Sequence, residues 1–232
     1  KDMVRITVMS DTHTKHKQLV NDLPGGDLLI HAGDLTSMGY HHEIKNFCEW
    51  YDKLHQYEEK VFICGNHDFG FQDYPEEVRE IIDRYYNIDY LQDNRIDVFE
   101  DRPVSIWGSP WQPEFCNWAF NLPRNSDIMK EKWDMIPEGI DILITHGPPF
   151  GHLDVVQGRT DHLGCEVLAE RLKIVKPKIH IFGHIHSGRH IYERDGTVFV
   201  NASVLNEQYY YKNKPITFDF DFDTKKLEII DA

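Results

Sequence analysis

Aspartate, asparagine and histidine recur in this sequence at the ends of short apolar runs, and that placement gives the first indication of its chemistry. Arg5–Met9 runs into Asp11 and His13, and Asp27–Ile30 into Asp34. Val61–Cys64 runs into Asn66, His67 and Asp68, Ile140–Ile144 into His146, and Ile179–Phe182 into His184 and His186. Oxygen and imidazole donors without thiolate suit Mn, Fe, Zn, Ni or Mg rather than a soft metal. If each run is a strand, alternate residues share a face, so Asp11 and His13 are expected to grip one ion together. The same spacing applies to His184 and His186. Two ions need a bridge, and Asp34, with two carboxylate oxygens, is the expected one. Asn66 offers a neutral amide oxygen, while His67 is expected to point elsewhere and be free for proton transfer.

The elements that position these residues follow from periodicity. The runs are short, apolar and cut off by polar loops, as buried strands are. Between them, Ile44, Phe47, Cys48, Tyr51 and Leu54 have the spacing of one helix face. A second helix is expected from Pro75, with Glu76 and Glu77 in its first turn and Val78, Ile81, Ile82 and Tyr85 as its buried stripe. Cys165, Leu168, Ala169 and Leu172 mark a third. After His190 the pattern changes to consecutive strands over 190–194, 197–201, 215–222 and 227–230, with Asp195-Gly196 a hairpin turn. Early βα alternation followed by an antiparallel end fits two sheets packed face to face with helices outside. In such α/β sheets, functional groups collect beyond the carboxyl ends of the strands. No repeat or linker divides the 232 residues, so one domain over 1–232 is expected.

Composition narrows the function. A net charge of −14 disfavours a long nucleic-acid partner, which needs clustered Lys and Arg. It leaves room for a small anionic substrate where metal ions dominate the local field. No apolar run is long enough to span a bilayer, and Met3 leads straight into the first apolar run, so neither a membrane nor a secretory leader is expected. The four cysteines form no C-x-x-C pair and read as reduced thiols of a cytoplasmic protein.

The ordered blocks Asp11-Thr12-His13, Gly33-Asp34, Gly65-Asn66-His67-Asp68, His146-Gly147 and Gly183-His184-Ile185-His186 resemble the calcineurin-like metallophosphoesterase superfamily. Further segments, including Trp107-Gly108-Ser109-Pro110-Trp111, Phe120-Asn121-Leu122-Pro123-Arg124 and His146-Gly147-Pro148-Pro149, are similar to the metallophosphoesterase-domain-containing proteins of animal brain. Those are relatives of the class III cyclic nucleotide phosphodiesterases. The resemblance implies an α/β fold in four layers, an αββα sandwich of two mixed sheets flanked by helices. It implies two divalent ions, with manganese the metal expected to serve in vitro. Asp11, His13, Asp34 and His186 would hold the first, and Asp34, Asn66, His146 and His184 the second. It also implies in-line attack of an activated water on a small phosphodiester, 2′,3′- or 3′,5′-cyclic nucleotides above all. His67 would stabilise charge on the phosphate or protonate the leaving oxygen, and Asp68 would orient His67. Some animal members carry Gly at the position of His184 and have a weakened site, whereas this chain keeps the histidine. Phosphomonoesterase, nucleotidase or nuclease activity, or nucleotide binding with little turnover, are the alternatives. The oligomeric state is left open, a homodimer being one option.

Around this set, Asn66, His67, His152, Trp111 and Arg124 are the candidate substrate contacts. The aromatic stretch Trp107, Trp111, Phe115, Trp118 and Phe120 reads either as a lid that stacks on a base or as core beneath a long loop. Arg124 reads as a phosphate contact or an ordinary surface arginine. His31 is placed to support Asp34, Asn201 to lie behind the ligands, and His16 to occupy a loop. His41, His42, His55, His162 and His190 read as solvated or structural.

Overall fold

A computed structural model describes residues 2–232, so Lys1 lies outside the described residues. Its strands are β1 (Val4–Met9), β2 (Gly26–Ala32), β3 (Tyr57–Ile63), β4 (Asp89–Tyr90), β5 (Asn94–Val98), β6 (Val104–Ser109), β7 (Gln112–Pro113), β8 (Asn121–Leu122), β9 (Ile142–Thr145), β10 (Ile179–Phe182), β11 (His190–Arg194), β12 (Thr197–Asn201), β13 (Ile216–Phe220) and β14 (Leu227–Asp231). Its helices are α1 (His41–Asp52), α2 (Phe69–Asp73), α3 (Pro75–Ile82), α4 (Asp127–Asp134) and α5 (Glu166–Val175). The first sheet runs β14-β13-β1-β2-β3-β4 and the second β11-β12-β10-β9-β6-β5. The strands that carry the chemistry, β1 with β2 and β3, and β9 with β10, pair in parallel, so their carboxyl ends leave each sheet on one side.

The strand runs are continuously apolar because both faces are buried. Ile6, Val8, Ile30 and Val61 point between the sheets, where they meet Ile106, Ile144, Ile181 and Val200. The alternate residues Leu29 and Phe62 turn outward, onto Ile44, Phe47 and Tyr51 of α1 and Val78 and Ile81 of α3. On the far side, Trp107 and Leu143 pack against Met129 and Trp133 of α4 and Leu168 of α5. The result is the expected αββα sandwich.

The ends of α1 and α3 follow from their sequence. Glu43 accepts the N–H groups of Ser37, Met38 and Tyr40 just ahead of α1, where a carboxylate also suits the helix dipole. Pro75 starts α3 with Glu76 and Glu77 in its first turn. The Asp195-Gly196 turn has φ of 52° and 82°, the left-handed pair that a two-residue hairpin demands. The antiparallel end, however, is divided. β11 and β12 form a hairpin at the edge of the second sheet, where β12 runs parallel to β10. β13 and β14 cross to the first sheet, where β13 pairs antiparallel with β1.

Candidate active site

The loops after β1, β2, β3, β9 and β10 converge at one end of the sandwich. They bring Asp11, His13 and His186 together with their ligand atoms within 4.8 Å of one another, and Asp34, His146 and His184 likewise. Asn66 joins the second group, its Oδ1 lying 2.9 Å from His146 Nε2 and 3.2 Å from His184 Nδ1. Asp34 touches both groups through one oxygen: Oδ2 lies 3.6 Å from His13 Nε2 and 3.2 Å from His146 Nε2. All seven residues expected from the sequence are thus assembled. Only one oxygen of Asp34 is shared, because the other, Asp34 Oδ1, accepts the His67 backbone N–H at 2.8 Å.

Local geometry also differs. Asp11, His13, Asp34 and His184 have φ of 55°, 43°, 57° and 69°. They lie in left-handed turns just past the strands, where strand alternation no longer applies and where side chains other than glycine carry strain. Asp11 and His13 still meet, through that turn. His184 and His186 do not share an ion group, because the left-handed residue and the 3-10 turn over His186–Gly188 swing them apart, one to each group.

The protein frame fixes which atom of each ligand faces the centre. Asp11 Oδ2 is taken by the Ser10 hydroxyl, the His184 N–H (3.0 Å) and the Ser203 hydroxyl (3.3 Å). Asp11 Oδ1 is left buried without a hydrogen-bond partner. A carbonyl can only accept, so Nδ1 of His146 donates to Ala32 O and Nδ1 of His186 to Asn206 O, which turns both Nε2 lone pairs inward. His13 Nε2 is also buried and unpartnered. Gly33 is required at its position: a Cβ there would lie 2.6 Å from His146 Nδ1. A Cβ on Gly183 would overlap Ser10 Oγ and Asp11 Oδ2.

The electrostatics favour a cation. Burial disfavours charge on Asp11 and Asp34, yet the surrounding histidines, His146 foremost, hold both carboxyls well below the usual range. Burial likewise opposes charge on His146, but Asp34 and Asp11 raise it to about 10. Against the same opposition, Asp11 raises His186 to about 9. Burial keeps His13 and His184 neutral, each lowered to about 4. Two buried carboxylates therefore demand positive charge, and a metal ion would replace the imidazole protons. Two groups of oxygen and imidazole atoms around a shared carboxylate, the first with Asp11 Oδ1 and His13 Nε2 unpartnered, fit two divalent ions.

Around the ligands, His67 lies at the rim. Its Nδ1 donates to Ser37 O at 2.9 Å, leaving Nε2 for proton work, and its ring stacks on Trp118 at 4.0 Å and 21°. Asp68 does not orient it. Asp68 is turned back to accept Leu35 N–H, Thr36 N–H, the Thr36 hydroxyl and Gly65 N–H, tying the Asp34 loop to the Asn66 loop. Burial, then Asp34, pushes the Asp68 carboxyl up to about 7. His31 supports the ligand loops by meeting Thr12 Oγ1 and Gly33 N–H. Asn201 accepts the Ser203 backbone N–H, while the Ser203 hydroxyl bonds Asp11, and so lies one step behind that ligand. His16 is buried in a 3-10 turn against Phe47 and Trp50 rather than in an open loop.

A cleft of about 440 Å³ opens over the ligands, lined by Asn66, His67, His184 and His186 on its floor and by Gln112, Phe115, Pro148, Leu163 and Tyr209 among its walls. Two of the candidate contacts lie outside it, and a third reaches its wall. Trp111 does not line this cleft; its Nε1 donates to Asp93 and its ring carries Lys132. His152 stacks on Phe199 at 3.9 Å and meets the Tyr192 hydroxyl, outside the cleft lining. Arg124 reaches the wall, but its guanidinium is spent on Gly164 O, Leu163 O and Glu166. The aromatic stretch divides: Trp107 is core, Trp118 holds His67, and Phe115 stands 53% exposed at the wall beside His184. Tyr209, whose ring edges onto His13 and His186, escaped the sequence reading. Its only signal is a tyrosine run, 209–211, in a loop.

A cluster of oxygen and imidazole donors suited to divalent metal, set at the strand ends of an αββα sandwich, is the class that fold and site define. The sequence matches the calcineurin-like phosphoesterase family over residues 4–188, and the chain belongs to that family. It is 42% identical over 236 residues to Metallophosphoesterase domain-containing protein 1 of Homo sapiens, covering 93% of this chain and 70% of that protein. Among solved structures it is similar in fold to TT1561 of Thermus thermophilus, with a TM-score of 0.67 at 15% identity over 99% of both chains. It is also similar to a 5′-nucleotidase precursor of that organism, with a TM-score of 0.52 at 13% identity over 99% of this chain and 54% of that one. The chain is therefore a phosphoric ester hydrolase of the metallophosphoesterase type. Among the described residues, no helix is long and apolar enough to cross a membrane.

Proposed function

We propose that the protein is a two-metal phosphodiesterase that hydrolyses small phosphodiesters, cyclic nucleotides in particular, with manganese a serviceable metal. The observation that carries this reading is Asp34 Oδ2, shared between two groups of candidate ligand atoms at the floor of an open cleft. Asp11, His13, Asp34 and His186 would hold one ion, and Asp34, Asn66, His146 and His184 the other. When bound, such ions activate water and neutralise phosphoryl oxygens. The chain's own contribution beyond the ligands is His67. Its Nδ1–H is committed to Ser37 O, so Nε2 exchanges a proton with the leaving oxygen or steadies charge on the phosphate. Trp118 and Ser37 fix the plane of that ring. The cleft volume suits a mononucleotide rather than a polymer, and the net charge of −14 agrees. Four unpaired cysteines support a reducing, cytoplasmic setting.

Purified protein loaded with Mn is expected to hydrolyse bis-p-nitrophenyl phosphate and 2′,3′- or 3′,5′-cyclic nucleotides. Asn66→Ala removes a ligand, and His67→Ala lowers kcat by about 10²-fold or more while leaving the metal content unchanged. Absence of turnover across divalent metals and diesters, or faster turnover of mononucleotides than of any diester, would overturn the reading.

A further inference from the structure

The ligand histidines are not all held in the same way. His146 and His186 each commit Nδ1 to a backbone carbonyl, Ala32 O at 2.9 Å and Asn206 O at 3.0 Å. His13 has no such anchor: both its ring nitrogens are buried and without a hydrogen-bond partner. A metal-binding histidine ordinarily donates its second nitrogen to a protein acceptor, which fixes the plane of the ring. The plane of His13 is set by packing instead. His67 and Tyr209 both meet it edge-on, at 4.6 and 4.9 Å, and Tyr209 also meets His186 at 5.3 Å.

Tyr209 is itself built into place. Its φ of 64° is a left-handed conformation that a bulky side chain keeps only where its surroundings hold it. The turn over 206–210 does so. Asn206 N–H donates to Tyr210 O at 2.8 Å, and Asn206 Oδ1 accepts the Gln208 and Tyr210 N–H groups at 3.0 Å each. Asn206 O accepts the Tyr209 N–H at 2.9 Å as well as His186 Nδ1–H, so one carbonyl places both the ring and a ligand it packs on. Lys15, two residues past His13, donates to Tyr209 O, and Glu207 accepts the Ser187 N–H at 3.0 Å. The turn is thus tied to both segments that supply the histidines of the first ion group. Those of the second group, His146 and His184, pack on each other at 5.2 Å.

We infer that Tyr209 is a positioning residue for the first ion group. Its ring takes the place of the hydrogen bond that His13 lacks, and the turn that carries it retains the ion. The inference rests on the two-metal reading and adds to it a residue that is not itself a ligand. The ring acts here and not the hydroxyl, because the contacts are edge-to-face ring contacts.

The test is stopped-flow release of Mn to excess EDTA from proteins reduced to one ion group. His184→Ala leaves the first group complete, and His186→Ala the second. Adding Tyr209→Ala to the His184→Ala protein is expected to speed release about tenfold, the worth of two aromatic edge contacts. Adding it to the His186→Ala protein leaves release unchanged. Tyr209→Phe, which keeps the ring, restores the rate of His184→Ala alone. Lys15→Met frees the turn without touching the ring, and should speed release about threefold from the first group only. Release from the first group that Tyr209→Ala leaves unchanged, or release sped equally from both groups, overturns the inference. So does a Tyr209→Phe protein as fast as Tyr209→Ala, or a Lys15→Met protein that alters neither group. An unaltered protein that takes up no Mn overturns the two-metal reading and the inference with it, whereas uptake of Mn with release indifferent to Tyr209 overturns the inference alone.

Discussion

Gly33→Ala tests whether the frame, and not the metal, places His146. Gly33 has φ of 99°, so an alanine there carries a left-handed strain of about 1–2 kcal/mol. Its Cβ would lie 2.6 Å from His146 Nδ1 and 2.8 Å from Cys64 O, against an ordinary contact of 3.4 Å or more. Cys64 O is backbone of the neighbouring strand end, so the imidazole is the group that gives. It must retreat by about 0.8 Å (3.4 less 2.6 Å), while its Nδ1–H is held by Ala32 O at 2.9 Å. Metal–nitrogen bonds tolerate only about 0.2 Å of misfit, and displacement of a catalytic group by about 1 Å costs on the order of 10²-fold. Gly151→Ala is the control: φ is 88° there, and a Cβ would meet nothing within 4 Å. Gly151→Ala should lose about 1–2 kcal/mol in urea unfolding, and Gly33→Ala at least as much, because its Cβ also presses on Cys64 O. Only Gly33→Ala should fall about 100-fold in bis-p-nitrophenyl phosphate turnover and retain fewer ions than the unaltered protein by metal analysis. If Gly33→Ala keeps its metal and turns over like Gly151→Ala, the backbone is not what positions His146.

Three further outcomes follow from the same geometry. Asp68→Ala strands four buried donors on Leu35, Thr36 and Gly65. It should cost about 3 kcal/mol or more in unfolding free energy and lower activity with it, whereas His67→Ala leaves stability intact; equal stability of the two in urea would show that Asp68 is no clamp. Removing metal with a chelator should lower the melting temperature, since ligand at about 100 times its Kd stabilises by about 2.7 kcal/mol; a melt unchanged by chelation and by reloading would remove the case that these atoms hold metal. His180, buried with Nε2 on the Thr145 hydroxyl, is lowered by burial from 6.5 to about 3. The folded state keeps this ring neutral while the unfolded chain takes up a proton, so its contribution is complete above pH 6.5 and is lost as pH falls toward 3. The loss is about 1.4 kcal/mol per pH unit, and His180→Gln should therefore lose about 2 kcal/mol less than the unaltered protein between pH 6.5 and 5, read by urea unfolding at each pH.

The parts of the molecule legible in its sequence are those where one local signal suffices. Ile179–Phe182 stops where its apolar run stops, and α3 begins at Pro75, because strand burial and helix initiation are decided within a few residues. The seven candidate ligands were legible for a similar reason, each lying just past a strand. Spacing did not give their distribution between the two groups; only the family resemblance implied it. His184 and His186 look equivalent at a spacing of two, and only the left-handed backbone at His184 sends them to different ion groups. Asp68 follows His67 directly, yet the turn after β3 faces it away, toward Leu35 and Thr36. Long-range partners were the hardest to read. Trp118 meets His67 and Tyr209 meets His13 across many residues of chain, and nothing local distinguishes them from Trp111 or Trp107, which went to other partners. The division of the last four strands between two sheets is likewise a matter of which edge was open, not of strand propensity.

The two ion groups draw on both sheets, and this couples the chemistry to the core. Asp11, Asp34 and Asn66 follow strands of the first sheet, while His146, His184 and His186 follow strands of the second. Neither sheet alone offers a complete set for either ion. The ligand-bearing strand ends meet where Ile6, Val8 and Ile30 pack against Ile144 and Ile181, so the two-sided arrangement depends on the inner core. Direct bonds then lock the seam, from Gly183 N–H to His146 O within the second sheet, and from His184 N–H to Asp11 Oδ2 and His146 Nδ1–H to Ala32 O between the sheets. These contacts are made by protein atoms that do not face the ions. The inward-facing candidate ligand atoms are therefore positioned by the protein's own hydrogen bonds. A core substitution that lets the sheets slide should consequently weaken metal binding at both groups together, whereas loss of His186 should weaken the first group and loss of His184 the second.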